Sequence, residues 1–266
     1  MISNSLIIAT YNWPAALAVC LRSALQQSIL PAEIIVADDG SGKETHELVA
    51  DFAKHSTVPL HHVWQPDEGF QLAKIRNRAM ATARGKYIIQ VDGDLLLHRH
   101  FVKDHMAFAR TGSFVSGSRV LMNAALSAQV LEQQKRNVSV FTSGTKNFFN
   151  GIHLPMLSKT ISSLKKSRPG NVTVRGCNMG FWKEDIIRVN GYDEDFAGWG
   201  SEDWELAARL MNSGVEKRVL KMGGIVFHLH HKEAERHGEN ANQVRLQTSI
   251  REKRVWCENG IDKYIR

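Results

Sequence analysis

The sequence has little cysteine and no long apolar run, and both absences restrict where the protein works. The three cysteines, Cys20, Cys177 and Cys257, form no CxxC pair and are odd in number. A disulfide framework is therefore not expected, and a reducing compartment is favoured. No stretch approaches the ~20 apolar residues that span a bilayer, and the N-terminus lacks the basic region of a signal peptide. The expected location is cytoplasmic, with peripheral contact at the inner face of the membrane as a further option.

The sequence also lacks internal repeats, low-complexity tracts and a clear linker, so residues 1–266 are predicted to form one domain. Hydrophobic residues make up 43% and charged residues 23% of the chain, which are ordinary globular values. The net charge of +7 favours anionic partners, namely nucleic acid, an anionic membrane or a pyrophosphate group. Because Lys and Arg are spread along the chain and do not cluster with aromatics, a nucleic-acid partner is not expected.

Buried strands alternate with helices through the first 120 residues. Short apolar runs at residues 6–9, 34–37 and 87–91 predict strands, and residues 43–54 and 72–83 predict helices between them. This alternation predicts an α/β fold with a mostly parallel sheet flanked by helices. Asn12 is the expected cap of the first helix, ahead of Pro14.

Polar loops follow three of these strands, and ligands bind at such strand ends. In Asp92-Gly93-Asp94, two carboxylates in the i and i+2 positions can hold Mg²⁺ or Mn²⁺ and, through the metal, a diphosphate. In Asp38-Asp39-Gly40-Ser41, a carboxylate can accept the N3–H of uracil or bind a ribose hydroxyl. Taken alone, each motif is more often an ordinary turn than a binding site.

Two later segments carry further candidates. In Trp199-Gly200-Ser201-Glu202-Asp203, an aromatic ring can stack on a sugar, Ser201 can cap the helix over 201–211, and Asp203 can act as a general base. Residues 224–230 predict a last strand on which His228 and His230 share one face, so that either can complete the metal site at Asp94. An acidic helix start and structural histidines are the alternatives.

Arg76 and Arg78 lie on the helix over 72–83 and can bind phosphates, although a solvated helix face is the commoner fate of such residues. Residues 124–173 show a weaker pattern, and 137–168 is interpreted as an irregular or mobile excursion. The tail over 239–254 is predicted to be a basic helix.

The order of these motifs is more specific than any one of them. IIATYN, IIVADDGS, EGFQLAKIRNRAM and GKYIIQVDGD together resemble the family 2 glycosyltransferases, which have the A-type glycosyltransferase fold. The later run GCNMGFWKEDIIRVNGYDEDFAGWGSEDWELAARL resembles the β-1,4-galactosyltransferase and chondroitin-polymerase enzymes. The two resemblances cover residues 5–231.

The resemblance implies a division of labour: nucleotide binding in residues 1–120, acceptor and metal binding in 174–235, and a helical tail over 239–266. A UDP-sugar would be the donor, Mn²⁺ or Mg²⁺ the cofactor, and a glycan or lipid-linked glycan the acceptor. The residue roles that it implies are nucleotide binding by Thr10, Tyr11, Asn12, Asp38, Asp39, Arg76 and Asp92, metal binding by Asp94 with His228 or His230, proton abstraction by Asp203, and acceptor binding by Trp199 and Glu202. The galactosyltransferases have a third acid where this chain has Trp204, so acceptor identity does not transfer.

The predicted reaction is a single displacement that inverts the anomeric carbon, with a hexose or N-acetylhexosamine moved to a glycan hydroxyl in surface polysaccharide synthesis. A nucleotidyltransferase that makes sugar nucleotides is the first alternative, but its usual Gly-rich basic loop is absent, since the first loop is TYNWP. A non-catalytic sugar- or nucleic-acid-binding protein is the second alternative.

Overall fold

The computed structural model describes residues 2–135, 137–164, 170–232 and 238–265. Within these ranges a seven-stranded sheet has the strand order β10-β6-β9-β4-β1-β2-β3, and a four-stranded sheet has the order β5-β11-β7-β8. The strands are β1 (Asn4–Thr10), β2 (Glu33–Asp38), β3 (Leu60–Trp64), β4 (Tyr87–Asp92), β5 (Leu95–Leu97), β6 (Ser113–Ser116), β7 (Val120–Met122), β8 (Thr145–Lys146), β9 (Asn178–Trp182), β10 (Glu216–Val219) and β11 (Val226–His228).

Helices cover both faces of the large sheet. The α-helices are α1 (Pro14–Leu25), α2 (Lys43–His55), α3 (Leu72–Thr82), α4 (Phe101–Phe108), α5 (Ala124–Glu132), α6 (Pro155–Leu164), α7 (Lys183–Arg188), α8 (Glu202–Asn212) and α9 (Glu239–Arg251), and short 3₁₀ helices lie at Phe148–Gly151 and Ile261–Tyr264. None of the helices in the described ranges is long and apolar enough to cross a membrane.

The alternation of side chains along β1 divides the core into two layers. Ile7 and Ala9 pack on one face in a cluster with residues of α3 and α8, whereas Leu6 and Ile8 pack on the other face in a cluster with residues of α1, α2 and α4. Successive side chains of a strand point to opposite faces, so a strand buried on both sides needs the continuous apolar run that the sequence shows. Each fully buried aliphatic side chain contributes roughly 1.5–3 kcal/mol.

The predicted mostly parallel sheet is confirmed. β1 pairs in parallel with β2 and β4, and β2 pairs in parallel with β3. β9 is antiparallel to both of its neighbours, β4 and β6.

The segment over 124–173 is more regular than its sequence indicates. It contains α5, which Asn123 caps through a bond from the Leu126 amide at 2.9 Å, and it also contains β8 and α6. β8 pairs with β7 and so joins the second sheet. Residues 136 and 165–169 of this segment lie outside the described ranges.

The C-terminal helix packs against α8. The Ser249 hydroxyl of α9 donates to Glu205 at 3.0 Å, and Leu246 is buried. The predicted helix therefore exists, and one of its faces is covered by the domain.

Candidate active site

Three strand-end loops meet at one edge of the large sheet, as their positions in the sequence predict. β1 lies between β2 and β4, so its carboxyl end is adjacent to theirs. The Asp39 amide donates to the carbonyl of Thr10 at 3.0 Å, and the Gly93 amide donates to the carbonyl of Ala9 at 2.7 Å. A Cβ at Gly93 would lie 3.0 Å from that Ala9 carbonyl oxygen, so a side chain between the two acids would be crowded.

Asn12 is not the helix cap that its position indicates. Trp13 is the N-cap residue of α1, and its side chain makes no capping bond. Asn12 has a positive φ of 43°, which asparagine tolerates better than most residues. The side-chain oxygen of Asn12 accepts from the Gly42 backbone amide at 3.0 Å, and the backbone amide of Asn12 donates to the Ser41 hydroxyl at 2.8 Å. Asn12 therefore joins the loop after β1 to the loop after β2.

Asp38 and Asp39 face different partners. Asp38 is fully buried and accepts from His62 and from the Ser41 amide, both at 2.8 Å. Burial opposes ionisation of Asp38, but the bonds from His62 and Ser41 lower its pKa below the ordinary value. Both oxygens of Asp38 thus hold the turn together.

Asp39 accepts from Gln65 at 2.6 Å and from the Gln71 amide at 2.9 Å. Burial raises the pKa of Asp39 to about 6, so it is ionised at neutral pH. Nearby, Thr10 is half-buried, and Tyr11 is 52% exposed with its hydroxyl donating to Asp67 at 3.0 Å. Gln65 lies in no motif of the sequence analysis, and Gln71 has only its place in the run EGFQLAKIRNRAM as a signal.

Asp94 lies between two histidines. Its Oδ2 is 3.3 Å from Nε2 of His228 and 3.0 Å from Nε2 of His231. The ligand atoms of these three residues all lie within 4.8 Å of one another. The other oxygen, Oδ1, is buried and has no hydrogen-bond partner among the described residues. Two imidazoles and one carboxylate, one oxygen of which is buried and unpaired, are a ligand set that fits a divalent metal.

The second histidine is His231, and the expectation for His230 is not supported. β11 ends at His228, so the alternation of a strand does not continue to residue 230. His230 is exposed, and its amide donates to the Ser127 hydroxyl at 2.7 Å. The hydrogen bond to Asp94 raises the pKa of His231 to about 9, so this ring is protonated at neutral pH and would have to lose a proton to bind a metal.

Arg76 connects the metal motif with the later acid pair. Its guanidinium is 1% exposed and lies 3.0 Å from Asp92, 3.0 Å from Asp203 and 3.6 Å from Glu202. Burial alone would lower the pKa of Arg76, but these carboxylates and Tyr192 raise it. The alternative of a solvated helix face is therefore wrong for Arg76. Arg78 is half-buried.

The acid pair begins α8, and its two members are in different environments. Burial, and secondarily the charge of Asp203, raise the pKa of Glu202 to about 8, so Glu202 is protonated at neutral pH. Asp203 accepts from Arg76 at 3.0 Å and from the Tyr192 hydroxyl at 2.7 Å. Tyr192 is a further site residue, and its only signal in the sequence is its place in the run that resembles the galactosyltransferases.

The start of α8 differs in one detail from the prediction. Ser201 occupies the N-cap position, but its hydroxyl donates to Gln243 at 2.9 Å and makes no cap bond. Its φ of 75° is left-handed. Trp199, two residues earlier, is half-buried.

The backbone of Gly176 packs directly on the Asp203 carboxylate, and a Cβ at Gly176 would overlap both carboxylate oxygens. Because Arg76 and Tyr192 both donate to Oδ1 of Asp203, a shift of this carboxylate would break bonds that hold it. We therefore expect Gly176→Ala to displace the carboxylate and to lower kcat by about 10²-fold. Turnover and the melting temperature of the variant would be measured together. Gly42→Ala is the matched control, since a Cβ there meets only Asn12 Oδ1 at 4.0 Å. Wild-type turnover in Gly176→Ala would contradict the expectation.

The fold and the site together define an A-type glycosyltransferase, with acids, imidazoles and a buried guanidinium at the carboxyl edge of the sheet. Residues 5–173 match the family model described as glycosyl transferase family 2, and the chain belongs to this family. Residues 157–232 match a second model, described as the N-terminal domain of galactosyltransferase. The second match includes Tyr192, the acid pair and both histidines near Asp94.

Relatives of known activity match most of this chain. Chondroitin synthase from Escherichia coli is 27% identical over 237 residues, which cover 84% of this chain and 34% of that protein. This chain therefore spans about a third of that relative's length. One similar solved structure is mannosyltransferase PcManGT from Pyrobaculum calidifontis in complex with GDP-Man and Mn²⁺, with a TM-score of 0.64 at 18% sequence identity. The matched region covers 95% of this chain and 64% of the PcManGT chain. A second is GalNAc-T7 with UDP, GalNAc and Mn²⁺, with a TM-score of 0.68 at 16% sequence identity. The matched region covers 93% of this chain and 48% of the GalNAc-T7 chain.

Proposed function

We propose that this glycosyltransferase is metal-dependent and inverting, and that it moves a hexose or N-acetylhexosamine from a UDP-sugar to a glycan hydroxyl in polysaccharide synthesis. The observation that carries the proposal is the guanidinium of Arg76, which brings Asp92 of the metal motif and Asp203 of the acid pair to one place. A donor diphosphate and an acceptor hydroxyl can meet only where these two halves meet. The chondroitin synthase relative supports a polysaccharide product.

Asp94, His228 and His231 are the residues that would hold the metal. When bound, the metal neutralises charge on the departing nucleotide diphosphate. The Mn²⁺ in PcManGT and in GalNAc-T7 supports a divalent ion here, and Mn²⁺ or Mg²⁺ suits a site that a diphosphate completes with oxygen ligands.

The nucleotide would lie over the first two loops. Asp39 is ionised at neutral pH and can accept the N3–H of uracil or a ribose hydroxyl, whereas both oxygens of Asp38 are engaged within the turn. Thr10, Tyr11 and Asn12 border the same edge. The UDP in GalNAc-T7 supports a nucleoside diphosphate donor.

Asp203 is the proposed base. It takes the proton of the acceptor hydroxyl while that oxygen forms the new bond to the anomeric carbon and the bond to the diphosphate breaks. A single displacement from the opposite face turns an α-linked donor into a β-glycoside. Protonated Glu202 can donate to an acceptor oxygen, and Trp199 can pack on a sugar ring. A glycan or lipid-linked glycan is the proposed acceptor, which would place the enzyme in the cytoplasm or peripherally at the inner membrane face.

Thermal stability against a panel of nucleotides, with and without Mn²⁺, tests the donor site. A ligand at about 100 times its Kd stabilises by ~2.7 kcal/mol, which corresponds to a rise in Tm on the order of 5–10 °C for a chain of this size. For the wild-type protein we expect this rise in Tm with UDP plus Mn²⁺ and a smaller rise with GDP plus Mn²⁺. For Asp94→Ala we expect no rise in Tm with UDP plus Mn²⁺.

Two adjacent histidines supply a matched pair of variants. His231→Ala removes an imidazole that lies 3.0 Å from Asp94, whereas His230→Ala removes an exposed one outside that cluster. The rise in Tm should be lost in His231→Ala and retained in His230→Ala. No rise with any nucleotide and metal in the wild-type protein would overturn the proposal.

A further inference from the structure

A second group of metal-ligating side chains lies away from the strand-end loops. His98 follows β5, Asp104 lies on α4, and His153 lies in the segment before α6. Ligand atoms of all three residues lie within 4.8 Å of one another. Nε2 of His153 is 2.9 Å from Oδ2 of Asp104, and the rings of His98 and His153 are 4.6 Å apart between centroids. Neither family match assigns these residues a role, and the reaction proposed above does not use them.

The separations are close to those of a coordination sphere. Zinc binds imidazole nitrogen and carboxylate oxygen at about 2.0–2.2 Å, so two ligand atoms of one tetrahedral ion are about 3.3 Å apart. The His153–Asp104 pair is already within that spacing, and a ligand atom of His98 lies within 4.8 Å of both. We propose that His98, Asp104 and His153 form a second metal site, selective for Zn²⁺ or a similar borderline ion.

The surroundings of the cluster support a metal. The carboxylate of Asp104 is 5% exposed and also accepts from the Gly224 amide at 3.0 Å, which fixes its orientation as outer partners of metal ligands do.

His98 and His153 also line a cavity of about 390 Å³, whose other walls include Val140, Phe141, Ile152 and Phe227. Three protein ligands leave a fourth position for water or another small Lewis base. In this arrangement a second ion ties the excursion over 137–154 to β5 and α4, because its ligands come from chain positions 55 residues apart (98 and 153).

β5 separates the two metal sites. Asp94 immediately precedes this three-residue strand and His98 immediately follows it. Residues in a strand advance about 3.3 Å each, so the Cα atoms of Asp94 and His98 are about 13 Å apart. The two sites are therefore distinct, and the ligands of one can be substituted while those of the other stay unchanged.

Zinc stoichiometry distinguishes the sites. The full chain would be stripped with EDTA, equilibrated with Zn²⁺ and assayed for bound metal, both as wild type and in the Asp94→Ala/His228→Ala background. We expect two equivalents in the wild type and one in the background. Adding His98→Asn or His153→Gln to the background should weaken the remaining equivalent by at least about 10²-fold, the upper range seen when outer-shell partners alone are removed. Substituting Co²⁺ in the background should give the visible absorption of a four-coordinate ion.

His100→Gln is the control, because this ring stacks on His153 at 5.3 Å yet lies outside the three-ligand group. It should keep the zinc of the background variant. Melting in EDTA checks that each variant is folded, and either His98→Asn or His153→Gln suffices if the other is not. Zinc that is absent from the background, or that is retained at unchanged affinity in a folded His98→Asn or His153→Gln variant, would overturn the proposal.

Discussion

Replacing Asp203 by Asn is expected to lower kcat by about 10²–10⁴-fold, the usual contribution of a general base. Asparagine keeps the size of the side chain and can still accept from Arg76 and from the Tyr192 hydroxyl, which lie at 3.0 and 2.7 Å from the carboxylate. The fold should therefore remain, and the loss should fall on proton abstraction.

The measurement is single-turnover transfer from a UDP-sugar, beside the Tm rise caused by UDP plus Mn²⁺. The rise should be nearly unchanged in Asp203→Asn, because the variant keeps Asp94 and both histidines. Asp195→Asn is the control, since the Asp195 side chain is 48% exposed and pairs with Arg245 at the surface. Turnover of Asp203→Asn close to that of the wild type would show that another group takes the proton.

Arg76→Met has the largest expected effect on stability, a loss of about 3–5 kcal/mol. Removing one partner of a buried ion pair leaves its counter-charges without compensation, which is the costly change. Here one guanidinium that is 1% exposed faces the carboxylates of Asp92 and Asp203 at 3.0 Å each, whereas Glu202, protonated at neutral pH, adds no counter-charge. Methionine fills part of the volume, so the loss is mainly electrostatic.

Urea unfolding of both proteins at pH 7 would measure this loss. Arg78→Met is the matched control, on the same helix two residues further on, and should change the free energy of unfolding by no more than about 0.5 kcal/mol. A difference of less than about 1 kcal/mol for Arg76→Met would contradict this expectation and would mean that Asp92 and Asp203 are stabilised well enough without the guanidinium.

The sequence predicts the large sheet well because its central strands are buried on both faces. Runs such as Leu6-Ile7-Ile8-Ala9 are continuously apolar, as strands covered on both faces must be. Parallel pairing of these strands then places the three polar loops at one edge of the sheet. The nucleotide and metal motifs could be brought together on that argument alone.

Contacts between distant elements could not be predicted in the same way. Whether His230 or His231 faces Asp94 depends on where β11 ends, and strand ends are set by pairing with β5 and β7. Arg76 gives no sign in the sequence that it is buried, because its three acidic partners come from two other segments. The group of His98, Asp104 and His153 has no motif spacing, since tertiary packing alone assembles it.

The single guanidinium between the two halves also constrains how this enzyme can change. In the proposed site the donor and the acceptor are recognised by separate loops, but Asp92 of one and Asp203 of the other both contact the guanidinium of Arg76. Substitutions at Asp92 and at Glu202 or Asp203 therefore alter a shared balance, and their free-energy effects will not add. An engineer who exchanges the acceptor acids for those of another transferase must retune the donor loop as well. Divergence of acceptor specificity in such a chain should proceed through Trp199 and its neighbours before it reaches the acid pair.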